Sequence, residues 1–299
     1  FKRLNSLYYY FVSALHALLK GKYDLIHLHH RDASIIIPFL RIKYKVILTT
    51  HGMVLTKKWD NYKWFFKIQD KLFLKFANII TCVSKKDKEI VENLITKKKI
   101  IYIPNGVEIN SAYFSPQKKY KICFAAGRIV PDKGCHILLQ ALNLIGFKDS
   151  VVIVGDLDQV TSHKEEIVKL SKKLTDIKFT GLIKDKDKLF TVISDSEIFV
   201  YPSVIESMSM MLLEVASLKV PVLCSNIREN RDVFDDNEVL FFNPDDSVDL
   251  GKKIEWAITN EQLIKANAEN AYKKIQKKHN WNEIADQYKD IYNKLIFSS

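Results

Sequence analysis

Only four cysteines occur in the 299 residues, Cys82, Cys123, Cys135 and Cys224, far apart and without a CxxC pair. A disulfide framework and a thiolate zinc site both need paired thiols, so neither is expected. Three of the four sit in or beside apolar runs, where a free thiol acts as a small hydrophobe, and the setting reads as reducing and cytoplasmic. Long apolar runs are missing too. The best candidate, Leu4 to Leu19, is broken by Asn5, Ser6, Ser13 and His16, short of the roughly 20 apolar residues a bilayer span needs. It lacks the small-residue cleavage pattern of a signal peptide, although the chain opens on Phe1 and not Met. There is no internal repeat, no recognisable nucleic-acid module, and no low-complexity tract beyond lysine clusters such as Lys97–Lys99.

What is present suits two packed domains. Apolar residues make up 47% of the chain and charged residues 27%, enough for a core and too few charges for wholesale disorder. The net charge of +11 is unevenly placed. Residues 1–115 hold 20 Lys/Arg against 8 Asp/Glu, and the remainder 26 against 27. The whole excess lies in the first half, either as a generic solvated surface or as a face for anionic lipid or a phosphate-bearing acceptor.

Strand-like runs alternate with helical patterns. Tyr23–Leu28, Lys45–Thr50, Ile79–Val83 and Ile100–Ile103 are short and β-rich, with helical stretches at about Ala33–Arg41, Tyr62–Phe76 and Lys85–Leu94. A loop-like interval from Glu108 to Lys119 follows. The alternation restarts at Lys121–Ala126, Val151–Val154, Lys178–Thr180, Ile198–Tyr201, Val220–Cys224 and Val239–Phe241, and ends in helices at Val248–Thr259, Glu261–Lys278 and Trp281–Ile296. Such alternation predicts parallel sheets covered on both faces. The fold class is α/β, with two doubly wound Rossmann-like domains facing across a cleft. Expected boundaries are 1–115, 116–280, and a terminal helix at 281–299 packing back on the first domain. That helix places Trp281, Ile284, Ala285, Tyr288, Ile291, Tyr292 and Leu295 on one buried face.

The most informative segment is FVYPSVIESMSMMLLEVASLKVPVLCSNIRENRD, Phe199 to Asp232. A buried strand ends at Pro202, a turn carries Glu206, and Ser207, Met208 and Ser209 open a helix. A helix N-terminus beyond a parallel strand offers free N–H groups to a diphosphate. Eight helical steps from Glu206 to Glu214 cover roughly 12 Å, enough to put one carboxylate near a sugar and the other near a ribose. The bland alternative is a cap-region acid and a solvated one, but Glu214 lies in the apolar stretch Met210–Val215, where an unpaired carboxylate is costly. Earlier, FAAGRIVPDKGCHILLQAL (Phe124–Leu142) reads as strand, turn and helix, with Gly127 permitting a close turn and Arg128 and Lys133 able to converge on a diphosphate.

Both segments resemble signatures of the retaining glycosyltransferases of family 4, which have the GT-B architecture. The resemblance implies that Glu206 contacts the donor sugar, that Glu214 binds the ribose hydroxyls, and that the backbone of Ser207, Met208, Ser209, Met210 and Met211 holds sugar and phosphates. It departs from the family in having Ser207-Met208-Ser209 where Gly-Phe-Gly is common, which bears on sugar preference. VVIVGD (Val151–Asp156), FTG (Phe179–Gly181), IPNGV (Ile103–Val107) and SNIRENRD (Ser225–Asp232) look like further landmarks in order. TTHG (Thr49–Gly52) implies a reaction-centre role for His51, whereas His27, His29 and His30 in HLHHRD read as strand-end structure. The family's first βα unit, with its Gly-rich loop, is expected upstream of Phe1.

Asp156/Asp158 and Asp185/Asp187 have the Asp-x-Asp spacing of metal-dependent transferases but read as caps or surface acids. No cofactor and no metal is expected, since Arg128, Lys133 and the helix N-terminus can neutralise a leaving diphosphate. The resemblance thus implies transfer of a sugar, with retention, from a nucleoside-diphosphate donor to a saccharide or lipid-linked acceptor in polysaccharide or glycoconjugate biosynthesis. Expected partners are the nucleotide sugar, the acceptor and an anionic membrane surface, with no nucleic acid. The enzyme is expected in the cytoplasm, peripheral on the inner face of the cell membrane. A GT-B nucleotide-sugar epimerase and a non-catalytic nucleotide-sugar-binding protein are the alternatives. For Phe1 to Lys20, the spacing of Phe1, Leu4, Tyr8, Phe11, Leu15 and Leu18/Leu19 predicts a helix. Its apolar face either packs on its own sheet or rests in lipid headgroups beside Lys57, Lys58 and Lys63.

Overall fold

Runs of Ile, Val, Leu and Thr become parallel strands wherever a helix can follow and cover them. The computed structural model describes residues 2–53, 63–95, 99–109 and 118–297. The chain divides into two units, Phe1–Asn105 with Asn282–Ser299, and Gly106–Trp281.

In the first unit β1 (Leu25–His29), β2 (Lys45–Thr50), β3 (Ile79–Cys82) and β4 (Lys99–Tyr102) lie side by side in chain order, all parallel. The helices are α1 (Lys2–Lys20), α2 (Ile37–Leu40), α3 (Lys63–Phe73) and α4 (Lys85–Leu94). Right-handed crossovers that all step the same way put their helices on one face. Val46, Leu48, Ile80 and Cys82 meet Ile36, Ile37, Leu40, Leu74, Val91 and Ala14 there. The period of two sends Ile47 and Ile79 to the opposite face. The last helix, Trp281–Phe297, covers that face through Ile284 and Ile291, with Tyr288, Tyr292 and Leu295 partly buried beside them. Trp281 and Ala285, expected on this buried face, are exposed, because they flank the contact stripe at the start of the helix.

The second unit contains β5 (Tyr120–Arg128), β6 (Val151–Asp156), β7 (Ile177–Gly181), β8 (Ser196–Tyr201), β9 (Val222–Ser225) and β10 (Leu240–Phe242). Their order, β10-β9-β8-β5-β6-β7, reverses between β5 and β8. Helices α5 (Cys135–Leu144), α6 (Thr161–Ser171), α7 (Lys186–Ser194), α8 (Met210–Ser217), α9 (Arg228–Arg231), α10 (Ser247–Thr259) and α11 (Glu261–Lys278) surround it. Ile122, Phe124, Val151, Ile153, Ile198 and Val200 form one sheet face against α5 and α10. Ser84, Asp185, Ser209 and Asp246 cap α4, α7, α8 and α10 with side-chain oxygens, the role short polar residues favour at helix starts.

Two boundaries differ from expectation. The helix expected over 33–41 is a 3-10 turn, Arg31–Ile36, followed by the single turn of α2. Pro38 lacks the N–H that a longer α-helix needs in its interior. The second unit begins at Gly106, ahead of the expected boundary. Val107 is held there by a bridge to Asn280 and by its N–H, which donates to His279 O at 2.6 Å. All four cysteines are free and buried, and burial pushes the Cys82 and Cys123 thiols up to about 12.

Candidate donor site at the switch point of the second unit

Where neighbouring parallel strands send their chains to opposite faces, their carboxyl ends leave a crevice that ligands use. Here those strands are β5 and β8, and the turns beyond them hold Gly127, Arg128, Lys133 and Glu206. A 3-10 turn, Pro131–Lys133, links β5 to α5. Gly134 ends it at φ +72°, and a Cβ on Gly134 would stand 2.0 Å from Pro202 O. Val204 N–H donates to Asp132 O at 3.0 Å, and Ser203 Oγ lies at the same distance from that oxygen. The two turns are therefore locked together.

That lock brings Lys133 Nζ to 2.6 Å from Glu206 Oε1. Tyr201 OH and Ser203 Oγ donate to the same oxygen, each at 2.7 Å. The Glu206 side chain is 9% exposed. A carboxylate so buried is costly without hydrogen-bond partners, and the three donors converge on Oε1. Oε2 is thus left to accept from a ligand. Lys133 spends one of its three N–H bonds on Glu206 and reaches Tyr201 OH at 3.4 Å. Burial and the Glu206 charge hold the Tyr201 hydroxyl well above its usual pKa, so it stays a donor. Behind Ser203, Ser225 Oγ donates to Ser203 O, and Asn230 Nδ2 donates to Ser225 O at 2.9 Å. The SNIRENRD segment therefore forms the floor of this site.

α8 starts at Met210, with Ser209 Oγ accepting the Leu212 N–H at 3.3 Å. Ser207 and Met208 precede the helix. The helical-rise estimate from Glu206 to Glu214 therefore fails, since only the five steps after Ser209 are helical, about 7.5 Å. The N–H groups of Met210 and Met211 are the first of α8 and have no intrahelical acceptor. Glu214, 14% exposed at its side chain, lies 3.2 Å from Lys186 Nζ of α7. That pairing answers the cost of a carboxylate in an apolar stretch.

Arg128 is exposed, with no ion pair among the described residues. Gly127 does not form the close turn expected of it: a Cβ there would meet nothing within 4 Å. It sits in a register shift of β5 between Ala125 and Arg128, so the bend comes from the bulge. Gly134 is the glycine the backbone requires. The acidic pairs behave as expected of caps and surface groups. Asp156 accepts from Asp158 N and Gln159 Nε2, and Asp185 caps α7.

His51 belongs to the first unit. His51 Nε2 lies 3.1 Å from His29 Nδ1, and the rings stack with centroids 5.4 Å apart. His27 is fixed between Thr49 Oγ1 at 2.6 Å and Tyr292 OH at 2.7 Å. Burial, reinforced by His29 and His51, lowers the His27 pKa to about 3. His29 and His51 are also lowered, chiefly by burial, which favours neutral imidazoles. Tyr201, Ser203 and Lys186 were missed in the sequence. Their signals were the alternation Tyr201/Ser203 leading into Glu206, and the need of Glu214 for a cation.

Two Rossmann-like units, the second with charged groups gathered at its switch point, are the architecture of GT-B glycosyltransferases. The chain belongs to the family described as glycosyl transferases group 1, whose model matches residues 108–274, and it is a sugar-transferring enzyme. Residues 1–111 match glycosyltransferase family 4. The chain is 26% identical to the UDP-Gal:alpha-D-GlcNAc-diphosphoundecaprenol alpha-1,3-galactosyltransferase of Escherichia coli, over 95% of this chain and 79% of that protein. It is 25% identical to the capsular polysaccharide biosynthesis glycosyltransferase CapM of Staphylococcus aureus, over 96% and 83%. Among solved structures, sucrose-phosphate synthase from Thermosynechococcus elongatus superposes with a TM-score of 0.82 at 20% identity, covering 96% of this chain and 77% of that one. HepE of Anabaena in complex with UDP-glucose superposes at 0.81 and 16% identity, covering 95% and 82%.

Proposed function

We propose that the chain transfers a hexose, with retention, from a uridine-diphosphate sugar to a saccharide or lipid-linked acceptor in polysaccharide biosynthesis. The carrying observation is the Glu206 carboxylate, fixed through Oε1 by Lys133, Tyr201 and Ser203 and left with Oε2 to accept from sugar hydroxyls. Glu214 takes the ribose hydroxyls. Arg128, the remaining Lys133 donors and the N–H groups opening α8 meet the charge that grows on the diphosphate as the anomeric C–O bond breaks. No metal is required for that step, and His51 serves the reaction centre as a neutral hydrogen-bonding group. The uracil base and the lipid-linked acceptor are supported by the UDP-galactose and diphosphoundecaprenol in the name of the E. coli relative.

The acceptor side draws support from α1. No described helix is long and apolar enough to cross a membrane. Yet Tyr8, Phe11, Val12, Leu15 and Leu19 of α1 are exposed, an outward apolar stripe suited to lipid headgroups. Lys57 and Lys58 lie outside the described residues. Incubation of the chain with UDP-hexoses and lipid-diphosphate acceptors in anionic vesicles tests the whole proposal. Radiolabelled sugar should move to lipid in the presence of EDTA. Release of free modified sugar without acceptor would instead identify an epimerase, and binding without turnover a non-catalytic protein. Sedimentation with anionic vesicles should fall steeply with salt; a protein left in the supernatant at low salt removes the membrane surface from the proposal.

A further inference from the structure

His136 stands in the first turn of α5, three residues after Lys133. Its ring meets that of His163, at the start of α6, edge-on, with centroids 5.2 Å apart and planes at 84°. His163 Nδ1 lies 3.2 Å from Glu166 Oε2, one helical turn further along α6. One ligating atom from each of the three residues lies within 4.8 Å of the others. His163 is 3% exposed. Its Nε2, like Nδ1 of His136, is buried with no hydrogen-bond partner among the described residues. Buried polar atoms are normally satisfied, and one left alone is unfavourable. The unpartnered Nδ1 of His136, beside a His163 Nδ1 and a Glu166 Oε2 that already stand 3.2 Å apart, points to a shared ligand among these three atoms.

We propose that His136, His163 and Glu166 bind one divalent transition-metal ion of the zinc type. Two imidazoles and a carboxylate are the nitrogen and oxygen donors such an ion prefers, with a fourth position left for water. The Glu166 side chain is 43% exposed, which gives the ion a way in from solvent. One ligand atom from each residue already lies within 4.8 Å of the others, so side-chain movement alone has to close the site. The ion would tie α6 to the first turn of α5, directly behind the turn Pro131–Lys133 that positions Lys133. Its role is to stiffen that turn. It touches no reacting group, and the proposal stands independently of the donor assignment.

Calorimetric titration of the chelator-treated full chain with zinc tests this. One ion should bind per chain and raise Tm, while magnesium leaves Tm unchanged. Glu166→Gln, at a half-exposed position that tolerates the change, should weaken zinc by about tenfold or more and abolish most of the Tm rise. His136→Asn should do the same, with circular dichroism confirming that it folds. Paired substitution of His29 and His51 by Asn should leave the stoichiometry intact. Absence of zinc binding, or binding undiminished in Glu166→Gln and His136→Asn, overturns the proposal. Loss of binding in the His29/His51 pair overturns it equally, by moving the ion to the first unit.

Discussion

The carboxyl ends of the parallel strands carry polar clusters in both units, yet the two clusters solve opposite problems. Beyond β5 and β8 lies an ion pair, the buried Glu206 carboxylate met by an ammonium and two hydroxyls. Beyond β1 and β2 they are imidazoles, held neutral by burial and by one another. A charged cluster that balances its own ion pair has directional donors and acceptors ready for an ionic ligand such as a diphosphate sugar. A neutral cluster can hydrogen-bond to a reacting group without adding charge. The same topological position thus carries a charged cluster in one unit and a neutral one in the other.

Gly134 holds the turn beneath the charged cluster, and its loss disturbs that cluster most. A left-handed φ costs a non-glycine residue roughly 1–2 kcal/mol, and the clash with Pro202 O adds a similar amount. Gly134→Ala should lower stability by about 3 kcal/mol and remove donor binding; parent Tm with parent affinity would show that the turn is not locked. Glu206→Gln retains shape and loses charge. It should reduce kcat by about 10²-fold, the scale of a lost transition-state contact, with the fold intact by circular dichroism. An unchanged kcat would separate Glu206 from the reaction.

Smaller effects sharpen the contrast. Glu214→Ala should weaken UDP and uridine alike, by about 1.5–3 kcal/mol, because the ribose is common to both; a loss confined to UDP would place Glu214 at phosphate. In the first unit, His27 has a folded pKa near 3 against an ordinary 6.5. The unfolded chain therefore takes up a proton between those values that the folded chain refuses. This contribution is fully present above about 6.5 and lost as pH falls, with a slope of at most ~1.4 kcal/mol per pH unit. Asp70, raised by burial from 3.8 to about 6 despite Arg31, works in the opposite direction between those two values. Chemical denaturation of His27→Gln should show a shallower loss between pH 7 and 5 than the parent; parallel curves would mean that His27 is already protonated in the fold.

Much of this was legible in the sequence for a local reason. β2 and α4 were found at their ends, because strand composition and the Ser84 cap are encoded beside the elements they shape. Motif order singled out Glu206 and Lys133, whose side chains the structure brings to 2.6 Å of one another. What escaped was set by contacts distant in sequence. Lys186 answers Glu214 from another helix, the requirement for Gly134 comes from Pro202, and Gly127 proved replaceable by the space around it. Trp281 and Ala285 matched a helical stripe, but only the contact with Ile47 and Ile79 decides where that stripe begins.

Lys133 joins the two halves of the donor-site assignment, since it fixes Glu206 and has donors left for phosphate. Calorimetry of UDP and uridine binding to the parent and Lys133→Ala, at one salt concentration, is the most direct measurement. The predicted result is a loss of about 1.5–3 kcal/mol for UDP and almost none for uridine. Equal losses for both ligands, or none for either, would contradict a diphosphate bound at the β5–β8 switch point.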